Sequence, residues 1–212
     1  MTSTRRSLRR FGLVASALGA FVLVMGTASA NSIIEEWASV KAPPPPELKP
    51  VAADVKTTAL LLLDFGKQNC GVRPRCVAIV PNVQKFADQA RAKGMPVVHS
   101  LFGQATNADL LIAPNAGEAS VRSGANKFLS TDLEKILKDK GIQTVIVTGT
   151  ASNGAVLNTA AMAALLGFKV VLPVDATASE AFAEMYTAWH LANGPGGVGP
   201  ATTVTRMDMI KF

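Results

Sequence analysis

The segment Thr58–Asp64, TALLLLD, is an unbroken apolar run of strand length. A strand with one wet face alternates polar and apolar residues. A run without alternation has to be covered on both faces, the setting of a parallel strand between two layers of helix. The rest of the sequence repeats that demand. Pro96–Phe102 (PVVHSLF), Ile142–Thr148 (IQTVIVT) and Phe168–Pro173 read as further strands, and Ala201–Thr205 as a last short one. Between them, Val80, Val83, Phe86, Ala87 and Ala90 recur at helical spacing and predict a helix over Val80–Lys93, closed by Gly94. Thr131 with Glu134 three residues on is a capping box for a helix over Asp132–Lys140, ended by Gly141. Asn153–Leu166 and Ser179–Ala192 read as two more helices. Strand and helix in alternation imply right-handed βαβ units, hence a three-layer α/β/α domain around a mostly parallel, doubly wound sheet. Ligands of such sheets sit beyond the carboxyl ends of the strands. The segments expected to carry a site are therefore Asp64–Gly66, His99–Gly103, Thr148–Ala155 and Asp175–Ser179.

The N-terminus belongs to a different argument. Arg5, Arg6, Arg9 and Arg10 precede an uncharged apolar run from Phe11 to Met25, and Ala28-Ser29-Ala30 supplies small residues at a cleavage site. This is the pattern of a signal peptide over residues 1–30, with Thr4-Arg5-Arg6-Ser7-Leu8 a partial match to the twin-arginine type. It predicts a periplasmic or secreted protein with no membrane attachment after cleavage. The chain carries 21 Lys+Arg against 15 Asp+Glu. Four of those arginines and no acid lie in residues 1–30, which leaves 17 against 15, or +2. The basic character is thus largely the signal's, and it gives no ground for nucleic-acid binding. Residues 31–56 form a lead-in, with a short helix expected over Ile33–Val40 and the stiff tetrad Pro43–Pro46 after it. The folded domain is expected over 57–212.

Two cysteines, Cys70 and Cys76, stand six residues apart in the loop leaving the first strand. In an oxidising compartment they are a disulfide candidate; a reactive thiol at Cys70 is the alternative. His99, near the end of the second strand, either lines the pocket or is a packed core histidine. Phe182, Tyr186 and Trp189 fall at helical spacing, as for core or oligomer packing rather than a cofactor site.

Three segments together resemble the isochorismatase-like (cysteine hydrolase) superfamily: the run ending at Asp64, Val121–Leu133 (VRSGANKFLSTDL), and Val147–Ala160 (VTGTASNGAVLNTA) with the GFKVVLPVDATAS that follows. The resemblance covers about Thr57 to Phe212. It implies a triad in which a cysteine at the start of the helix after the third strand attacks a carbonyl. An aspartate takes the cysteine's proton, and a lysine six residues before a Phe stabilises the thiolate. Asp64 matches the aspartate. Six residues before Phe128 stands Arg122, and Lys127 is the nearest lysine. The cysteine's place, six after Gly149, is Ala155. The resemblance further places Ala151, Ser152 and Asn153 in the turn that holds the ligand, with helix N-capping as the plain account of Ser152 and Asn153. Its metal-binding branch carries an Asp-x-His and a further His. Here Ser100-Leu101-Phe102 follows His99, so neither metal nor cofactor is expected.

Alanine cannot attack, ionise or carry a proton, so a covalent intermediate at position 155 is excluded. Two expectations remain. One is a hydrolase working through Asp64 and a bound water on a small carbonyl or vinyl-ether compound. The other is a catalytically inactive relative that keeps the pocket for a small carboxylate-bearing ligand, with Arg122 clamping the carboxylate beside Asp64, and Lys127 and His99 nearby. The resemblance also implies a homo-oligomer, formed through surface helices.

Overall fold

The computed structural model describes residues 32–212; the expected signal peptide lies outside them. Of the described residues, 32–42 belong to a separate unit. There the short helix α1 covers Ile33–Glu36, about half the length expected. The compact unit begins at Pro43, earlier than the expected boundary at 57. Its strand β1 (Val51–Ala52) pairs in parallel with β9 (Ile210–Lys211), so part of the supposed lead-in is folded against the end of the chain.

The main sheet contains β2 (Thr58–Leu63), β3 (Val97–Leu101), β4 (Ala119–Arg122), β5 (Thr144–Thr150), β6 (Lys169–Pro173) and β8 (Thr202–Thr205), in the order β4-β3-β2-β5-β6-β8. The two-residue β7 (Thr177–Ala178) pairs with the end of β5. All these pairings are parallel. The helices are α2 (Pro74–Ala92), α3 (Leu133–Asp139), α4 (Leu157–Leu165), α5 (Ala181–Asn193) and the short α6 (Val198–Ala201). The three-layer expectation is met. Every residue of β2 is buried, and the faces of its leucines alternate between two cores. Leu61 and Leu63 pack with Val145, Val147 and Ala160, whereas Leu60 and Leu62 pack with Phe86, Ala90 and Val97. Burying each such side chain stabilises the fold by roughly 1.5–3 kcal/mol, which is why the run cannot alternate.

Three local differences have physical causes. Helix α2 starts at Pro74 rather than Val80 and carries Pro81 inside it. The apolar periodicity begins only at Val80, but proline suits a first helical turn. The chain instead puts Pro74 at the start and tolerates the hydrogen bond lost at Pro81. The capping box at Thr131 does not form as read: Asp132 is the N-cap, while Thr131 Oγ1 accepts from the Leu133 N–H and donates to the Lys127 carbonyl. Strand β4 was not expected, being a short edge strand with one buried residue, Val121.

The sheet reverses its direction of growth between β2 and β5. From β2 the chain runs outward to β3 and β4; from β5 it runs the other way to β6 and β8. The crevice at their carboxyl ends is the switch point at which open α/β sheets bind ligands, and Asp64 and the turn after Thr150 both open into it.

Candidate functional site

Asp64 is the first residue beyond β2 and has a left-handed backbone, φ 56°. A non-glycine residue there needs support, and Ser100, on the neighbouring β3, supplies it. Its Oγ accepts from the Asp64 backbone N–H at 3.0 Å and donates to Asp64 Oδ1 at 2.6 Å. The other carboxylate oxygen, Oδ2, accepts from Lys127 Nζ at 2.8 Å. Lys127 is fully withdrawn from solvent and Asp64 is 3% exposed. The remaining donors of the ammonium group go to the carbonyls of Gly124 (2.7 Å) and Ser123 (3.2 Å). Its three protons therefore have three acceptors, which is what makes a buried ammonium tolerable. The Lys127 N–H donates to Thr159 Oγ1 on α4 and fixes where the lysine leaves the turn. Above it lies the half-exposed ring of Phe102, 6.0 Å from Nζ to ring centroid.

Arg122 does not join this group. As the last residue of β4, it sends its guanidinium to the carbonyls of Gly103 and of Ala105, the latter at 2.6 Å. It thereby fastens the loop after β3. The expected clamp beside Asp64 is replaced by Lys127, five residues later in the same motif. Strand geometry explains the exchange: Val121 turns into the core, so Arg122 faces outward, and only a side chain from the following turn reaches Asp64.

The third component is the turn after β5. Gly149 (φ 132°) makes it possible, because a β-carbon there would collide with the carbonyl of Leu63. This close approach brings the ends of β2 and β5 together, and the Thr150–Ala151 peptide is cis. Ser152–Val156 forms a π-helical turn leading into α4. Its N-cap is Ala151, with no side chain capping it. Capping therefore does not account for Ser152 or Asn153. Asn153 instead accepts from Ser179 Oγ at 3.4 Å. The Ser152 hydroxyl is buried and has no hydrogen-bond partner among the described residues. Ala155 is 4% exposed and packs in the core cluster of Leu63 and Val156.

His99 lies apart from the site. Adjacent strand residues face opposite sides, and while Ser100 faces Asp64, His99 Nε2 meets Glu118 at 2.8 Å, beside Arg91 of α2. Burial holds its imidazole below the usual range despite the Glu118 carboxylate. Burial alone would raise the Glu118 carboxyl; hydrogen bonds from Arg91, His99 and the Asn115 N–H outweigh it and bring it down to about 2. Cys70 and Cys76 are joined in a disulfide, which leaves no free thiol among the described residues. The bond ties the chain to the first turn of α2 directly after Gln68 and Asn69. With Asp64, Ser100, Phe102 and Leu110 these line a cavity of about 10 Å³, roughly the room one water needs. Ser100, Gln68, Asn69 and Phe102 were not singled out in the sequence. Alternation along β3 puts His99 and Ser100 on opposite faces, but not which of them faces Asp64. Among the described residues no cluster of His, Cys, Asp or Glu could hold a metal ion, and no helix is long and apolar enough to cross a membrane.

Comparison with known proteins places this geometry. The isochorismatase domain matches residues 58–204. N-carbamoylsarcosine amidase from an Arthrobacter species is 31% identical over 130 residues, covering 47% of this chain and 49% of the amidase. The chain thus spans about half the length of that relative. A secreted isochorismatase effector, Isc1, of Verticillium dahliae is 29% identical over 109 residues, 45% of this chain and 57% of the effector. Among solved structures, an isochorismatase-like hydrolase from Alkaliphilus metalliredigens superposes with a TM-score of 0.64 at 26% identity, over 72% of this chain and 87% of that one. The α/β sheet, the Asp64 switch-point site and the matched domain agree: the chain belongs to the isochorismatase-like cysteine hydrolase superfamily.

Proposed function

We infer that this protein is an exported member of its superfamily that binds a small carboxylate- or carbonyl-bearing compound at the switch point without forming a covalent intermediate. The observation that carries this reading is Ala155: a buried methyl group in the turn where the nucleophile is expected, in a described chain without a free thiol. Two features support retention of a ligand. The helical run from Ser152 begins without a side-chain cap, which leaves the partial positive charge of its N-terminus without a side-chain partner. The Ser152 hydroxyl is buried and unpartnered, a cost of about 1–3 kcal/mol that a bound oxygen would remove. Export is supported by the signal pattern in residues 1–30 and by the secreted fungal relative.

Hydrolysis by a water activated at Asp64 is the second reading, favoured by the intact Asp64–Lys127–Ser100 group. A panel of small carboxylates, primary amides and vinyl ethers separates the two. Binding without turnover is expected: a raised melting temperature with no product formed by the wild type. Wild-type turnover that disappears in Asp64→Asn would overturn the binding reading and establish the second.

A further inference from the structure

At the carboxyl ends of β6 and β8, beside α5, lies a groove of about 590 Å³, far larger than the cavity at Asp64. Part of its lining belongs to the matched domain: Val174 after β6, Val204 of β8, and Met185 and Ala188 of α5. The rest does not. Pro45, Pro46 and Leu48 come from the segment before the domain, and Arg206 from beyond it. That leading segment is fastened to β8, the edge strand of the sheet, where the Lys49 N–H donates to the Val204 carbonyl at 2.9 Å. Prolines have no N–H to satisfy and a fixed φ, so they make a wall at little cost in entropy. The groove is thus built by segments that the family match leaves out.

We propose that this groove is a second binding site, for a small amphipathic molecule with an apolar body and one carboxylate. Size and lining suit such a ligand, since small-molecule sites span roughly 300–1,000 Å³ and are mainly apolar with a few polar groups. The sign of the polar end follows from which groups at the groove are already engaged. Glu184 is spent: its carboxylate accepts from Arg75 and from the Ser179 N–H. Asp175 accepts the Met207 N–H at 2.9 Å through Oδ1. The two guanidinium groups keep more in hand. Arg75 uses Nε and Nη2 on Glu184, and Arg206 uses Nη2 on Asp208. Nη1 of Arg75 and both Nε and Nη1 of Arg206 have no protein partner among the described residues, and the two side chains are 55% and 51% exposed. Against these donors stands a single open acceptor, Asp175 Oδ2. Planar N–H pairs of this kind match a carboxylate.

Titration calorimetry of the purified protein with octanoate, octanol and octylamine tests the proposal. Octanoate should bind one to one with a dissociation constant on the order of 100 μM. Octanol and octylamine should each bind at least tenfold more weakly. Ala181 is exposed at the start of α5 and lines the groove. Ala181→Trp should fill the groove, keep the native circular dichroism and weaken octanoate at least tenfold. Arg206→Gln should weaken octanoate to the level of octanol and leave octanol unchanged. Leu129→Trp, at an exposed position outside the groove, should change neither. No binding of octanoate at ~10 mM would overturn the proposal. So would octanoate binding indifferent to Ala181→Trp, which would place the ligand elsewhere, or octanol or octylamine binding as tightly as octanoate.

Discussion

Lys127 Nζ sits 2.8 Å from Asp64 Oδ2, with both side chains withdrawn from solvent, while Arg122 reaches from the end of β4 to two backbone carbonyls instead. Removing one partner of a buried pair strands the other charge, at a cost of about 3–5 kcal/mol. Lys127→Met and Asp64→Asn should each lower the unfolding free energy obtained from urea titration by that order. Arg122→Ala, more exposed and bonded only to carbonyls, should cost no more than about 1.5 kcal/mol. The double variant Asp64→Asn with Lys127→Met should lose clearly less than the sum of the single losses. Additive losses, or an Arg122→Ala effect as large as that of Lys127→Met, would return the cationic role to Arg122.

Position 155 lies in the first turn of a helical run with no side-chain cap, at the same crevice as the Asp64–Lys127 group. A thiol placed there should ionise readily. In Ala155→Cys the alkylation rate by iodoacetamide should titrate with an apparent pKa below the ~8.5 of a free cysteine. Adding Lys127→Met should move that titration upward. An unshifted thiol, indifferent to Lys127, would mean that the field around the turn has been lost along with the nucleophile.

The fold was legible because burial on both faces leaves a sequence mark: TALLLLD cannot be anything but covered, and Gly149 could not carry a side chain beside Leu63. The site was legible only in part. Asp64 and the turn around Ala155 follow from their places at strand ends. Lys127 does not, because counting along a motif assigns a role to a position, whereas reach across space is set by which side of β4 a residue leaves. Reading Val121 as inward and Arg122 as outward on a strand would have freed the pairing for Lys127; β4 was too short to announce itself. Ser100 escaped for a related reason, since alternation separates it from His99 but does not label the faces.

Acid should destabilise the protein in two stages. His99 is held below its ordinary 6.5, chiefly by burial. As pH falls through 6.5 the unfolded chain takes up a proton that the native histidine refuses, and stability drops. Glu118 titrates from 4.5 in the unfolded chain to about 2 in the native one. The stability it contributes is present above 4.5 and is lost as pH falls from there toward 2. Urea midpoints measured from pH 7.5 down to pH 3 should decline throughout, and Glu118→Gln should flatten the lower stage. A midpoint independent of pH over that range would contradict the buried Arg91–Glu118–His99 arrangement.

The Cys70–Cys76 bond closes a loop of six residues' separation directly after Gln68 and Asn69, which line the cavity beside Asp64. On loop-closure entropy alone so short a ring is worth about 2 kcal/mol. Replacing both cysteines by serine should lower stability by that order. It should weaken binding of any ligand found in the carboxylate panel more than the lowered melting temperature of the free protein would suggest, since the freed loop adjoins Gln68 and Asn69, which line the cavity with Asp64. Equal ligand-induced stabilisation in the wild type and the double variant would show that the loop has no part in the pocket.

Ser152 offers the sharpest separation of stability from function. Its hydroxyl is buried without a partner, so Ser152→Ala removes a desolvated polar group at nearly constant shape and should stabilise the free protein by about 1 kcal/mol. If the hydroxyl is held in readiness for a ligand oxygen, the same substitution should weaken carboxylate binding by about 1 kcal/mol, roughly fivefold. A variant that is more stable and binds less well would tie the unpaired hydroxyl to ligand binding. A variant that is more stable and binds just as well would mark Ser152 as an unsatisfied group with no ligand to serve.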